Sequence, residues 1–458
     1  MSSRDCLFLA QVVMGQASAI FFAICCFCSV QAQPLIPDSA LPMQTSTLIS
    51  SGNPHTLSAL LRQTLMTHPS LAARESERSA ARAEVQAARW LYWPTPGLGL
   101  EQSDQPAMLG GDRQVLVASL SQPVWTGGRL DATLAQAQAA SAVSDAIYQE
   151  RRRELALELI QAHGDGVAAQ ARVQAWQAGL TVTEKLLGLV QRRAEEGLST
   201  NSDVLLAQSR RSAVLADREL AQVQQDAARQ KLQSLSGEFL DAPLMPSGKP
   251  PRLQPSVEAH SSDALQSLVM AALAADPTLA RLQAEVLQLQ AESAKSRAAL
   301  WPTLQLRFEQ RQGDSSGNSQ RVTLGLESQW GAGLASVSAI QASQQRLMAR
   351  RSEVQARERR LTEQVQSDWQ LLRATEARMK TLTDVIGSSQ AVAEAWGRQF
   401  LAGKKSWQDV MNAAREASQT QIQLVDAQAL ASVTAWRLAV LTLGLDEVAG
   451  QSATEVGR

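Results

Sequence analysis

Leu57, Leu60, Leu65, Pro69, Leu71, Ala72, Glu77, Glu84, Trp93-Pro94-Thr95 and Glu101-Gln102 recur at Leu265, Leu268, Leu273, Pro277, Leu279, Ala280, Glu285, Glu292, Trp301-Pro302-Thr303 and Glu309-Gln310. The offset is 208 throughout, so no gap interrupts the match. Stacked repeat arrays have periods of a few tens of residues. A period near 200 therefore marks the duplication of a whole half-protein, with one supersecondary plan used twice.

The plan runs in the same order in each copy. A short helix (about 57–67, then 264–275) leads to a proline suited to the first turn of the next helix. That helix runs to Trp93 or Trp301, where Pro94 or Pro302 stops it. Two strands, a very long helix, a glycine turn and a helix ending at Gly237 or Gly444 follow. The strands are clearest in copy two. Leu304, Leu306 and Phe308 alternate with Gln305, Arg307 and Glu309, and Val322, Leu324 and Leu326 alternate with Thr323, Gly325 and Glu327. In copy one, Leu98 and Leu100, a turn with Gly110-Gly111-Asp112, and Val115 to Gln122 make the hairpin. Such alternation fits a transmembrane β-barrel, and equally an ordinary half-buried hairpin.

The long helices carry the most regular signal. Leu155, Leu159, Ala162, Gly166, Ala169, Val173, Trp176, Leu180, Thr183, Leu187, Val190 and Ala194 are spaced four and three in turn. Leu361, Val365, Asp368, Leu372, Thr375, Met379, Leu382, Ile386, Ser389, Ala393, Trp396 and Phe400 repeat that spacing. A sustained 3.5-residue repeat is a coiled-coil seam. A helix from Leu130 to Glu196 spans roughly 100 Å at 1.5 Å per residue, longer than a globular domain needs. Gly, Ala, Ser and Thr in the seam permit close approach but bury little, so each helix must pack on several others.

Composition agrees. Aromatics are 4% of 458 residues, and Ala, Gln, Leu, Arg, Ser and Glu dominate the helical stretches. A net charge of −1 gives no reason to expect nucleic acid as a partner. The four cysteines, Cys6, Cys25, Cys26 and Cys28, lie in or before an apolar run that ends at Val30-Gln31-Ala32, a small-residue cleavage pattern. Residues 1–32 read as a signal peptide, with a signal anchor as the competing reading. Ile24, Cys25 and Phe27 precede the candidate cysteines, so lipidation is not expected. No other run of 18 apolar residues exists, so any membrane role falls to the strands. The layout is then 33–56 as an extension, 57–239 as the first repeat (hairpin about 95–122, long helix about 130–196) and 240–262 as a proline-rich linker. The second repeat follows at 263–445 (hairpin about 303–329, long helix about 334–402), with a tail at 446–458.

Enzyme chemistry finds no foothold. His55, His68, His163 and His260 show no metal-ligand spacing, and there is no P-loop, Gly-x-Ser-x-Gly or dinucleotide fingerprint. No catalytic residue, cofactor or metal is expected. Gly127-Gly128 reads as a joint between strand and helix, and Arg151–Arg153, Arg350-Arg351 and Arg357–Arg360 as solvated helix faces.

The order of these elements resembles the TolC family of outer-membrane channel tunnels, from about Leu57 to Gly444. The resemblance rests on the two Trp-Pro-Thr helix ends and on Ser121-Gln122-Pro123-Val124-Trp125-Thr126-Gly127-Gly128-Arg129. It rests most on two equally spaced turns, Gly197…Asp203-Val204 and Gly403…Asp409-Val410. It implies a mainly α protein with a β-barrel part: a homotrimer whose 12-stranded barrel in outer-membrane lipid continues as a periplasmic α-helical coiled-coil barrel. It also implies a periplasmic gate at the glycine turns. By position the aromatic falls on Phe400, the base on Lys405, the ring acid on Asp409, and the link partners on Ser202 and Asp203. The pattern is altered, since Phe400 lacks a tyrosine's hydroxyl, Lys405 replaces arginine and Asn412 replaces a second acid. Lysine makes a point-charge pair rather than a bidentate one, so a looser, less cation-selective gate is implied. Asp409 could equally serve as a helix N-cap. The implied partners are a periplasmic adaptor (membrane fusion) protein and an inner-membrane ABC transporter, as in type I protein secretion. A proton-driven pump for drug or metal efflux is the alternative, and a poreless periplasmic scaffold a further one.

Overall fold

The computed structural model describes residues 56–102, 114–240, 243–246, 262–313, 318–328 and 335–451. The leader and its cysteines, most of the 33–56 extension, the Gly110-Gly111-Asp112 turn, most of the linker and residues 452–458 lie outside the described residues. Copy one consists of α1 (Leu57–Thr67), α2 (Pro69–Trp90), β1 (Thr95–Gln102), β2 (Gln114–Trp125), α3 (Arg129–Glu195) and α4 (Asn201–Ser236). Copy two repeats it as α5 (Ser262–Ala275), α6 (Pro277–Ala298), β3 (Thr303–Gly313), β4 (Asn318–Glu327), α7 (Ala335–Leu401) and α8 (Trp407–Thr442). The long helices α3 and α7 have 67 residues each, and their return helices α4 and α8 have 36 each.

Helix ends follow local chemistry. Pro69 and Pro277 open α2 and α6, capped by side chains that accept backbone N–H groups: His68 from Ser70, and Asp276 from Leu279. These two helices end at Trp90 and Ala298, a turn short of the expected ends at Trp93 and Trp301. Residues after Gly444 are not a tail from the start. A further helix, α9 (Leu445–Gln451), forms there and buries Val448.

The four strands make one antiparallel sheet in the order β1-β2-β3-β4, so β1 and β4 are edges. Leu100 pairs with Leu116, Leu120 with Phe308, Phe308 with Val322, and Leu306 with Leu324. Paired residues of a sheet share a face, so these side chains form one apolar surface. It is bare: Leu98, Leu100, Leu116, Leu324 and Leu326 are 49–84% exposed. The other face carries Glu101, Arg307, Glu309, Arg311, Arg321 and Glu327, with Arg311 3.7 Å from Glu101 and 3.8 Å from Glu309. β2 runs on to Trp125 through an irregularity between Pro123 and Trp125.

The helical core joins both copies. Leu57, Leu60 and Leu61 pack with Leu159, Ile160, Leu232, Trp436, Val440 and Val448. Leu268 and Ala272 pack with Leu361, Val365, Leu372, Leu438 and Leu441. α8 contributes to both clusters and is apolar and long enough to cross a bilayer by composition. Yet 56% of its most apolar stretch is buried in the protein, which makes it the core helix. None of the residues of either expected seam is exposed. Where α3 crosses α8, Gly164 has no room for a side chain, since a Cβ there would lie 2.1 Å from Val433 Cγ2.

The arginine runs are not simply solvated. Arg153 of α3 and Arg357 of α7 converge on the fully buried carboxylate of Asp276, which also caps α6. Burial alone would raise the pKa of Asp276, but the two guanidinium groups outweigh it and hold it below the usual carboxylate range. Arg437–Asp368 and Arg172–Asp426 add ion pairs from α8 to α7 and α3.

Candidate functional site

The glycine turns bring the ends of the four longest helices together. Gly197 and Gly403 adopt φ of +74° and +72°, a left-handed conformation that glycine takes without Cβ strain. Each turn is followed by a capped helix. Thr200 caps α4, accepting from Asp203 N–H, and the Asp203 carboxylate returns to Thr200 N–H at 3.1 Å, a full capping box. In α8 the cap is Ser406, and Asp409 is three residues inside the helix rather than the cap itself. Its carboxylate instead lies 3.9 Å from Lys405 Nζ.

Two contacts fasten copy one to copy two here. The Trp407 indole N–H donates to Asp203 Oδ1 at 2.9 Å. The Arg193 guanidinium lies 4.9 Å over the Phe400 ring and donates to the Phe400 carbonyl at 3.1 Å. Beneath them Leu186, Val190, Ala207, Phe400, Trp407, Val410 and Met411 form a small apolar cluster. The Trp407 hydrogen bond, then those of Thr200, lower the pKa of Asp203. Lys405 sits 4.2 Å over the Trp396 ring.

Of the residues singled out from sequence, Phe400, Lys405, Asp203 and Asp409 lie in this assembly, while Ser202 is exposed on the first turn of α4 and Asn412 on the second turn of α8. Arg193 and Trp407 were not read from the sequence. Their partners are 207 and 204 residues away, beyond any local pattern. The one available signal was composition: copy two has Trp396, Phe400 and Trp407 where copy one, at an offset of 206, has Val190, Ala194 and Asn201. Phe400 and Trp407 sit on copy two and their polar partners, Arg193 and Asp203, on copy one, while Trp396 meets Lys405 of its own copy.

A sheet with one bare apolar face, joined end-on to paired helices of roughly 100 Å, is a TolC-like fold. Residues 60–238 match the family described as outer membrane efflux protein. The alkaline protease secretion protein AprF of Pseudomonas aeruginosa is 26% identical over 349 residues, covering 73% of this chain and 71% of AprF. The outer membrane protein VceC of Vibrio cholerae superposes with a TM-score of 0.74 at 15% identity, over 85% of this chain and 96% of VceC. A membrane protein from Pseudomonas aeruginosa gives a TM-score of 0.72 at 17% identity, over 84% and 92%. The chain thus matches the outer membrane efflux protein model over its first repeat and, over 85% of its length, has the fold of the VceC outer membrane protein. It is an outer-membrane protein with a periplasmic extension.

Proposed function

We propose that three copies of this chain close a 12-stranded barrel across the outer membrane, continued by a periplasmic helical barrel, as the exit duct of a tripartite export machine. The observation that carries this reading is the four-stranded sheet, with its bare apolar face and two open edges. Each unpaired backbone group at an edge costs several kcal/mol in lipid, so four strands can enter a bilayer only by sharing edges with other copies. An apolar outer face and a charged inner face are what such a wall requires.

The duct's cargo is a protein, delivered by an inner-membrane ABC transporter through a periplasmic adaptor. A relative named for alkaline protease secretion supports this over drug or metal efflux by a proton-driven pump. The helix tips are the gate. Arg193, Asp203, Phe400 and Trp407 hold the two tips of one protomer together, while Lys405, Asp409, Asn412 and Ser202 face the constriction that the copies share. Within that gate the Trp407 indole N–H supplies a donor that the Phe400 ring lacks, and Arg193 a guanidinium that Lys405 lacks.

Fractionation tests the duct: the expected result is a heat-modifiable trimer in the outer membrane. A soluble monomer or dimer released by osmotic shock sinks the proposal in favour of a periplasmic scaffold. Deleting the gene tests the cargo. Loss of a large protein from the medium is expected. Loss of drug or metal resistance with an unchanged set of secreted proteins assigns the duct to efflux.

A further inference from the structure

The junction between sheet and helices carries a chemistry that the duct itself does not need. β1 begins, β2 ends, β3 begins and β4 ends at this one level. Trp90, Tyr92, Trp93, Trp125 and Trp301 cluster there and are 37–66% exposed. They are not core residues displaced by chance. Trp125 pairs in register with Leu304, two residues from Leu306 on the bare apolar face, and Trp301 packs edge-on against Trp125 at 6.5 Å. Trp90 and Trp93 form a second pair at 6.1 Å.

Three exposed arginines stand at the same level: Arg89 at the end of α2, Arg129 at the start of α3 and Arg297 at the end of α6. None of them forms an ion pair among the described residues. Of the acids close by, Asp131 accepts the Tyr92 hydroxyl at 2.6 Å, and Glu327 lies on the charged face of the sheet. The helix dipole favours cations at Arg89 and Arg297, in last turns, but opposes one at Arg129, the first residue of a helix whose Gly128 cap offers no side chain. Asp131 in the same first turn offsets part of this, and an anion outside the chain offsets more.

We infer that this junction is a headgroup belt. The aromatics lie at the membrane–water boundary, and Arg89, Arg129 and Arg297 hold the phosphates of anionic phospholipids in the periplasm-facing leaflet. The inference rests on the reading that the sheet lies in the bilayer. It commits to lipid because the belt is continuous with the apolar face and its three arginines form no ion pair among the described residues.

The test uses full-length trimer in vesicles and tryptophan quenching by brominated phosphatidylglycerol or brominated phosphatidylcholine. The ratio of the two association constants is expected to favour phosphatidylglycerol by at least about fivefold, the worth of one basic side chain at an anionic surface. The variant R89Q/R129Q/R297Q should bring the ratio to unity, and R89K/R129K/R297K should keep it. Equal association constants in the unaltered protein, or a preference that survives the glutamine variant, overturn the belt while leaving the membrane reading intact. No quenching by either lipid overturns both.

Discussion

Position 276 shows how much one side chain can hold. Asp276 caps α6, as His68 caps α2 in the first copy, but it alone also binds arginines from both long helices. Replacing it with asparagine keeps a cap and leaves two guanidinium groups without their carboxylate. Asp276→Asn should cost about 3–5 kcal/mol, read as a lower denaturant midpoint for the solubilised protein; an unchanged midpoint would count against a structural role. His163, fully buried in α3, has its pKa lowered by desolvation to about 4. Its unfolded form takes up a proton that the folded form refuses, so stability falls as pH drops from about 6.5 toward 4, by roughly 1.4 kcal/mol per unit from this group. His163→Gln should flatten that slope in pH-dependent melting. At the tips, Trp407→Phe removes the donor to Asp203 and should cost about 1 kcal/mol. It should also raise conductance in planar bilayers if the tips form the gate; unchanged conductance would argue against that assignment. Asp203 has a depressed pKa, so its contribution is present above the ordinary aspartate value and is lost as pH falls below it. The residue scale was the least legible in sequence. Arg153 and Arg357 read as solvent-facing because the acid they share lies 123 and 81 residues away.

Elements were far more legible, because their causes are local. The seam of α3 and α7 follows from a spacing repeated every seven residues, and the turns from glycines at positive φ. Gly127 shows a limit. It read as a joint, yet a Cβ there would lie 2.5 Å from Trp301 Cβ, so its bareness also serves a contact between the copies. α9 was missed because Gly444 looked like a stop. Asp446 and Glu447 in the first turn and an apolar Val448 were the available start signal. The α3–α8 crossing yields a sharp expectation. Gly164→Ala should destabilise by about 1–2 kcal/mol, since crowding against Val433 outweighs the helix propensity of alanine. Val433→Ala in the same chain should recover part of that loss; an additive loss in the double variant would mean the two sites are uncoupled.

At the scale of the whole molecule, the duplication carries the sheet as well as the helices, and the two faces of the sheet should tolerate charge differently. Leu324→Arg, on the bare apolar face, should cost about 2–4 kcal/mol in a bilayer, seen as a reduced yield of heat-modifiable trimer. Thr323→Glu, one residue away on the charged face and opposite Arg307, should leave that yield unchanged. Equal yields from both would mean that neither face meets lipid. The alternation was plain in the sequence, but whether the face met lipid or a protein core was not, since both environments select the same residues.

The matched lengths of the two copies, 67 residues outward and 36 back in each, have a consequence for heredity. Removing one heptad from α3 alone shifts its tip by about 10 Å against that of α7, which parts Arg193 from Phe400 and Asp203 from Trp407. A lineage that lengthens or shortens this protein must therefore edit its gene at two distant places by the same amount. An insertion in one long helix alone is expected to break both contacts, and a matching insertion in the other to restore them.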